Sequence, residues 1–449
     1  MKKKKFALAA VIIALTGAIA VGSAGCDWLV KKPDANFPYD GAVAEGFTGT
    51  EAEWLGSGYD AGTREYALYK EAVQEGYRGT YLDFLKELGT VAADDSAAIN
   101  RALTSVVAIE NTYRPTSGTE ETLSGSGVIV SLDTDRGDAL VVTNYHVVYN
   151  VSKRYGKLGI GKNIDVYLYG GTTRPIPAKF YGGAMEYDLA LLKITGSEYL
   201  KETADNRVYA TAASIGDSDS IAVGQRVYAL GNPDGEGFSA TGGIVSVESE
   251  YIDVARADSE TQSIRLPEIR TDAAVNHGNS GGGLFNAAGR LVGIVNARSE
   301  SSGVVAFGYA IPSNFAMSVV QNILENYDRA EGAVRLARLG VVTKVEEDKG
   351  VYDETSGKFF IEEKIVLDSV EIGTAAYSAG LKKGDTLISA ALNSVSGTTQ
   401  MNFTRLQQVA DLLMKVRLGD TLVLKISREG KFTDVTVRFT ESKYFATVV

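Results

Sequence analysis

One short stretch restricts this chain more than any other. From Thr271 it reads TDAAVNHGNSGGGLFN, which places Ser280 inside a cluster of glycines: Gly278 before it, and Gly281, Gly282 and Gly283 after it. Glycine reaches positive φ and lets another backbone come close at no steric cost. A serine in that setting can expose its hydroxyl beside backbone N–H groups. Acyl transfer needs this arrangement, a nucleophile next to donors for the developing oxyanion. Serine and glycine also fill ordinary surface loops. Loop glycines would not by themselves be flanked so closely by strand patterns, here SIRLPEIRTDAAV before and RLVGIVNA after.

The stretch also fits G-x-S-x-G, the nucleophile elbow of α/β-hydrolases, in which the histidine base follows the serine. The chain has two histidines, His146 and His277, and neither follows Ser280. That arrangement therefore fails unless the base is not histidine. A histidine base must lie upstream, and the order His, Asp, Ser is that of chymotrypsin. His277 is so near Ser280 that it would have to bend back within its own turn. His146, in TNYHVV just past an apolar strand, is the better base, although a histidine at a strand end can also be simple packing. Asp188 is the best orienting carboxylate, because it directly precedes the apolar run LALLKI. Glu186 lies farther out, and Asp165 falls in a strand with solvent-facing alternation.

The chain has 449 residues, enough for two or three domains. Its 45% hydrophobic and 22% charged content suits a soluble globular protein. The net charge of −11 argues against nucleic acid as the main partner. A single cysteine excludes an intramolecular disulfide and a cysteine-based metal cluster. The serine chemistry itself calls for no metal and no cofactor.

Residues 1–25 read as a secretory signal: Lys2 to Lys5, an uncharged apolar run from Phe6 to Ala20, then small residues. An uncleaved anchor is the alternative, although the run is short for a bilayer span of about 20 residues. Ala24-Gly25-Cys26 resembles a bacterial lipobox, which implies lipidation of Cys26 and tethering at the outer face of the cytoplasmic membrane. Ser23 stands where that pattern usually has a large aliphatic residue. Farther on, AVAEGFTGTEAEWL from Ala42 matches AVQEGYRGTYLDFL from Ala72. Such a repeat is hard to ascribe to chance. Glu-Gly closes one helix, with Gly46 or Gly76 as its C-cap, and Thr50-x-x-Glu53 starts the next as a capping box. Residues 26–95 thus read as a tether carrying two short helical repeats. The unit resembles repeats in surface proteins of Gram-positive bacteria, which implies a spacer or cell-wall contact; a semi-ordered linker is the alternative.

From residue 96 the pattern turns to strands. Short apolar runs at 106–109, 125–130 and 139–144, separated by the turn-rich 133–138, predict an all-β barrel or sandwich. TNYHVV with His146, YDLALLKI with Asp188, ALGNP at 229–233, TDAAVNHGNSGG with Ser280 and GYAIPS at 308–313 occur in the order found in HtrA-type (high-temperature-requirement) serine proteases. Residues 100–449 resemble that family. The resemblance implies a mainly β fold: two chymotrypsin-like six-stranded barrels over residues 96–330, divided near 197–211, then an α/β PDZ domain over 331–449. It implies catalysis by His146, Asp188 and Ser280, with the backbone N–H groups of Gly278 and Ser280 as the oxyanion hole. It also implies unfolded or misfolded protein substrates, and the family commonly forms homotrimers. Two positions depart from the pattern, since the family usually has proline at those of His277 and Gly283. The departure reads either as a looser Ser280 loop set by regulation or as neutral drift in a surface turn. Val295-Asn296-Ala297 and residues 299–304 should border the specificity pocket and favour small or medium apolar side chains.

In the PDZ-like part, AGLKKGDTLI at 379–388 is the most recognisable segment. Residues 403–416 have helical apolar spacing at Phe403, Leu406, Val409, Ala410, Leu413 and Val416. Together with the strand after Leu339-Gly340-Val341 this helix would form a groove that takes a partner's C-terminal peptide as an added strand. A β-domain that binds nothing is the alternative. Residues 346–364 form a charged hairpin-like insertion that could cover part of the groove. Two other functions compete with proteolysis: a non-catalytic chaperone-like or signalling peptide-binding scaffold, and a cell-wall adhesion protein whose repeats carry the main role.

Overall fold

Strands buried on both faces explain why the middle of the sequence reads as unbroken apolar runs rather than as alternation. The computed structural model describes residues 95–448 apart from 114–119, 153–155, 172, 233–236, 260, 299–306, 331–333, 355–357 and 396. The signal-like segment, Cys26, the two repeats, the expected pocket loop at 299–304 and the tip of the 346–364 hairpin therefore lie outside the described residues.

After helix α1 (Ser96–Leu103) come β1 (Val106–Tyr113), β2 (Glu121–Asp133), β3 (Asp138–Thr143), the single turn α2 (Tyr145–Val148), β4 (Tyr149–Ser152), β5 (Gly156–Ile160), β6 (Asn163–Leu168), β7 (Ile176–Ala184) and β8 (Leu189–Ile194). Six of these strands close a barrel in the order β1-β2-β3-β8-β7-β6, while β4 and β5 pair separately. In β8, Ala190, Leu192 and Ile194 face the barrel interior with Val107, Ile129 and Val141. Leu189 and Leu191 face outward into a second core with Val106, Val128 and Val142.

Residues 195–225 lead to β9 (Arg226–Gly231), β10 (Ser239–Ala255), β11 (Ser263–Thr271), β12 (Gly283–Asn286), β13 (Leu291–Arg298) and β14 (Gly308–Pro312). They close a second barrel in the order β10-β11-β14-β13-β12-β9, filled by Val227, Ala229, Val245, Ile269, Leu284, Val292, Val295 and Ala310. Helix α3 (Ser313–Ala330) follows. Its Phe315, Ala316, Val319, Val320 and Ile323 are spaced for one helix face. That face buries against Leu230, Leu266, Ile294 and Ile311 of the second barrel and Leu189 and Leu191 of the first. Each of the buried Val, Leu, Ile and Phe side chains contributes roughly 1.5–3 kcal/mol, so this shared core holds the two barrels in one arrangement.

The last part of the chain contains β15 (Val334–Ala337), β16 (Val341–Asp353), β17 (Lys358–Val370), the single turn α4 (Ala375–Ser378), β18 (Thr386–Ser394), β19 (Gly397–Asn402), α5 (Gln407–Lys415), β20 (Thr421–Arg428), β21 (Lys431–Arg438) and β22 (Phe445–Val448). Five strands form a sheet in the order β16-β17-β18-β20-β21, with β19 paired to β18. This is the expected PDZ-like β domain. The expected helix over 403–416 begins later, at Gln407, and its buried face differs from the expected stripe. Ala410 is exposed, while Leu412 and Met414 are buried. The reason is that α5 packs on two sides. Val409 and Leu412 enter the sheet's own core, whereas Met414 joins the core shared by the barrels and α3. Asn322 of α3 bonds the Arg335 carbonyl at 2.8 Å and the Met414 carbonyl at 3.3 Å, and Arg405 donates to the Ser249 carbonyl of β10 at 2.9 Å.

Candidate active site

The first barrel supplies an acid–imidazole pair. His146 stands in the single turn α2, directly after β3. Asp188 ends the 3-10 turn Met185–Tyr187 and opens β8, in the left-handed conformation at φ +47. Few non-glycine residues adopt it, but aspartate tolerates it better than most. Four hydrogen bonds lock the two segments together. The Asp188 carbonyl accepts from the Tyr145 N–H at 3.1 Å and from Asn144 Nδ2 at 3.0 Å. Its Oδ1 accepts from the His146 N–H at 2.9 Å, and its Oδ2 faces His146 Nδ1 at 2.7 Å. Asp188 is buried, whereas the imidazole remains 37% exposed. Burial disfavours the imidazolium, but the charge of Asp188 and its hydrogen bond outweigh this and raise His146 above the ordinary histidine pKa.

The second barrel supplies Ser280, in the loop between β11 and β12. Gly281 is at φ +83, and a Cβ there would lie 2.2 Å from both the Ser126 carbonyl and Thr143 Oγ1. Only glycine fits this contact, which presses the serine loop against the residues just before His146. Ser126 of β2 fastens the loop from the first barrel. Its N–H donates to the Ser280 carbonyl at 2.8 Å, and its hydroxyl donates to the Gly278 carbonyl at 2.6 Å while accepting from the Asn232 N–H at 2.9 Å. Gly125 beside it leaves room for Val147, whose Cγ1 would stand 2.6 Å from an added Cβ. Gly278 has φ +86. Among the described residues the N–H groups of Gly278 and Ser280 have no acceptor, so both donors are open to an incoming oxygen.

The serine hydroxyl does not bond His146. It donates to the Asn296 carbonyl at 3.1 Å. The Asn296 amide in turn donates to Glu268 Oε1 at 2.7 Å. The other sequence-proposed residues lie elsewhere. Asp165 pairs in register with Glu110, and Glu186 faces Arg256 at 3.4 Å. His277 is exposed. Gly283 is not in a surface turn but buried in β12, where a Cβ would lie 2.2 Å from Phe285 Cε2. The phenylalanine ring occupies the space that any other side chain would need. Val295 belongs to the second barrel's interior.

In the sheet domain, Gly340 has φ +79, and a Cβ there would meet Thr374 Cβ at 2.2 Å. Leu339 is buried. Val341 begins β16, which is paired on one side only, at the edge of the sheet. The N–H groups of Leu339 and Gly340 have no acceptor among the described residues.

Sequence reading missed Ser126, Asn144 and Glu268, and it placed Asn296 at the border of the specificity pocket without its contact to Ser280. Ser126 left a signal in its two flanking glycines. Glu268 left one too, as a carboxylate where the alternation Ile264, Leu266 calls for an apolar residue.

Two β-barrels with histidine and aspartate from the first and a glycine-cradled serine from the second define a trypsin-like serine peptidase. A trypsin-like peptidase domain model matches residues 125–294. The chain is 31% identical over 336 residues to the serine protease Do-like HtrA of Lactococcus lactis subsp. lactis (strain IL1403), covering 73% of each chain. It is 32% identical over 322 residues to Do-like HtrB of Bacillus subtilis (strain 168), covering 70% of this chain and 62% of that one. With the periplasmic serine endoprotease DegP of Escherichia coli (strain K12) it shares 31% identity over 323 residues, 71% of this chain and 57% of that one. Among solved structures, the HtrA-type protease AlgW with a tripeptide matches 77% of this chain and 96% of its own at 28% identity, with a TM-score of 0.49. The chain belongs to the HtrA (Do-like) family of serine proteases.

Proposed function

We propose that this protein is an extracytoplasmic serine endopeptidase that hydrolyses unfolded or misfolded proteins, with His146 as base, Asp188 as its orienting carboxylate and Ser280 as nucleophile. The observation that carries the reading is the 2.7 Å His146–Asp188 pair, with the Ser280 loop pressed by Gly281 against Thr143 and Asn144 beside it. In the acylation step Ser280 Oγ gives its proton to His146 Nε2 and attacks the peptide carbonyl carbon. The carbonyl oxygen takes the negative charge and is met by the N–H groups of Gly278 and Ser280. The C–N bond breaks as the imidazolium protonates the leaving amine. Water then repeats the sequence and frees the enzyme. Asp188 stays ionised throughout, holding the Nδ1–H tautomer and stabilising the imidazolium. To begin, the serine hydroxyl leaves the Asn296 carbonyl and turns to Nε2.

Residues 96–330 would be the protease domain and 331–449 the PDZ domain. The open N–H groups of Leu339 and Gly340 and the edge of β16 suit a C-terminal carboxylate and an added strand, so capture of C-terminal peptides near Leu339, Gly340 and Val341 is part of the reading. Residues 1–25 would be the signal, with lipidation at Cys26 tethering the protein to the membrane. Residues 26–95 would carry the spacer repeats in contact with the cell wall, and the active form would be a homotrimer. The Escherichia coli relative is named periplasmic, which supports placement outside the cytoplasm.

The test is degradation of unfolded casein by the full chain beside a Ser280→Ala control, with and without a hydrophobic C-terminal peptide. Cleavage lost in the control and accelerated by the peptide is the expected result. The rest position of the Ser280 hydroxyl favours a second reading, a non-catalytic peptide-binding scaffold. Absence of cleavage by folded protein in both conditions selects it.

A further inference from the structure

Glu268 has no solvent exposure, yet its strand neighbours on the same face are Ile264 and Leu266. Its Oε1 accepts from Asn296 Nδ2 at 2.7 Å. Its Oε2 is buried with no hydrogen-bond partner among the described residues. Burial pushes its carboxyl well above the usual carboxylate range; the Asn296 bond pulls the other way, and the charge of Asp188 adds to the rise. A half-satisfied buried acid is unfavourable for stability, so packing alone does not account for it. The reading of the site gives it no role.

Its partner occupies a special position. Asn296 stands where β13 slips register against β14, between Val295 and Ala297. A bulge leaves one residue unpaired in the ladder and re-aims its groups. At this bulge the Asn296 carbonyl takes the Ser280 hydroxyl, while the Asn296 side chain is held from behind by Glu268.

We propose that Glu268 is a positioning residue for the nucleophile: through Asn296 it fixes the β13 bulge so that the Asn296 carbonyl holds the resting Ser280 hydroxyl away from His146. The inference rests on Ser280 being the nucleophile. The tie requires an acceptor at Oε1 and not a charge. Glutamine therefore serves in its place, and an apolar residue of similar volume does not. Release gives up the hydrogen bond from the Ser280 hydroxyl to the Asn296 carbonyl, with no covalent bond made or broken.

The experiment measures the rate at which a fluorophosphonate probe labels Ser280 in the full chain, without substrate. Four variants are compared with the parent: Glu268→Gln, Glu268→Leu, the double variant Glu268→Leu/Asn296→Leu, and Ser280→Ala. The double variant replaces both polar partners by apolar ones, which is close to neutral for stability, and it guards against a misfolded single variant. Folding of each is checked by its thermal transition. The expected result is labelling of Glu268→Gln at the parent rate. The folded leucine variants should label about three- to tenfold faster, the shift that follows from losing one hydrogen bond that favours the resting pose. Equal rates across all folded variants, slower labelling of the leucine variants, or acceleration by glutamine as well would each overturn the proposal. No labelling of parent or variants, or labelling that survives Ser280→Ala, would instead overturn the reading of the site, and the proposal with it.

Discussion

In the first barrel, His146 and Asp188 are joined side chain to side chain at 2.7 Å and side chain to backbone at 2.9 Å. In the second, Ser280 is held against the first barrel by its carbonyl and by Gly281, while its hydroxyl rests on Asn296 at 3.1 Å. One half-site is complete within its own barrel. The other has a fixed backbone and an unengaged reactive atom. On the proposed reading the difference locates control in the second half: the His146–Asp188 pair is already formed, whereas the Ser280 hydroxyl must first leave the Asn296 carbonyl. It also explains why the glycines gather around the serine. A backbone that must approach Ser126 and Thr143 closely and keep two N–H groups open has no space for Cβ atoms.

The most severe test removes either half. Ser280→Ala and His146→Ala should each lower kcat on the order of 10^6-fold, and the double variant should be no worse, because the pair acts as a unit. Steady-state casein hydrolysis checks this. A His146→Ala enzyme that kept most of its activity would show that the first barrel does not supply the base.

Asp188→Asn comes next. Asparagine also tolerates φ +47, so the fold should persist while kcat falls about 10^4-fold through the wrong imidazole tautomer. The same variant reports on pH. In the parent, the base form of His146 is the active one and its pKa is raised, so kcat/KM should rise with pH through a midpoint above the ordinary histidine value. Both raising influences come from Asp188, and burial alone remains in Asp188→Asn, so the midpoint of the residual activity should move to lower pH. A midpoint that stayed in place would mean that another group titrates.

A smaller effect separates the two kinds of glycine. Gly281→Ala should cost about 1–3 kcal/mol in backbone strain, added to its clash with Ser126 and Thr143, and should depress activity with stability. Gly196 has φ +62 but open space around its Cβ position. Gly196→Ala should lower the thermal midpoint while leaving kcat intact. Equal effects on kcat would argue that the Ser280 loop is not held as tightly as its contacts indicate.

The smallest effect concerns the sheet domain. Arg405→Ala removes the bond to Ser249 of the second barrel and should cost about 0.5–1.5 kcal/mol of stability. Turnover of a short peptide should stay the same. A changed kcat would show that the adjustable half-site responds to the domain that follows it.

Much of this was legible beforehand for identifiable reasons. The runs at 106–109 and 189–194 were unbroken because each face meets a different core. Ser280 stood out because a strained approach demands glycine, and His146 because the other histidine was poorly placed. The helix over 403–416 was located, but Ala410 was assigned to the buried stripe and Met414, which meets the core shared with α3, was not. Single-helix periodicity does not register a second packing partner such as α3. Gly283 read as a turn because the sequence does not reveal that Phe285 folds back over it.

By itself, the sequence determined the residue types, their order and the backbone freedom around Ser280. These are local properties, carried by side-chain chemistry and by the absence of Cβ atoms. Only the tertiary structure decided which carboxylate reached His146, that Ser126 would fasten the serine loop, and that Glu268 would stand buried behind Asn296. Those contacts join residues far apart in the chain. Their geometry depends on how two barrels and one helix close around a shared core, which local pattern does not encode.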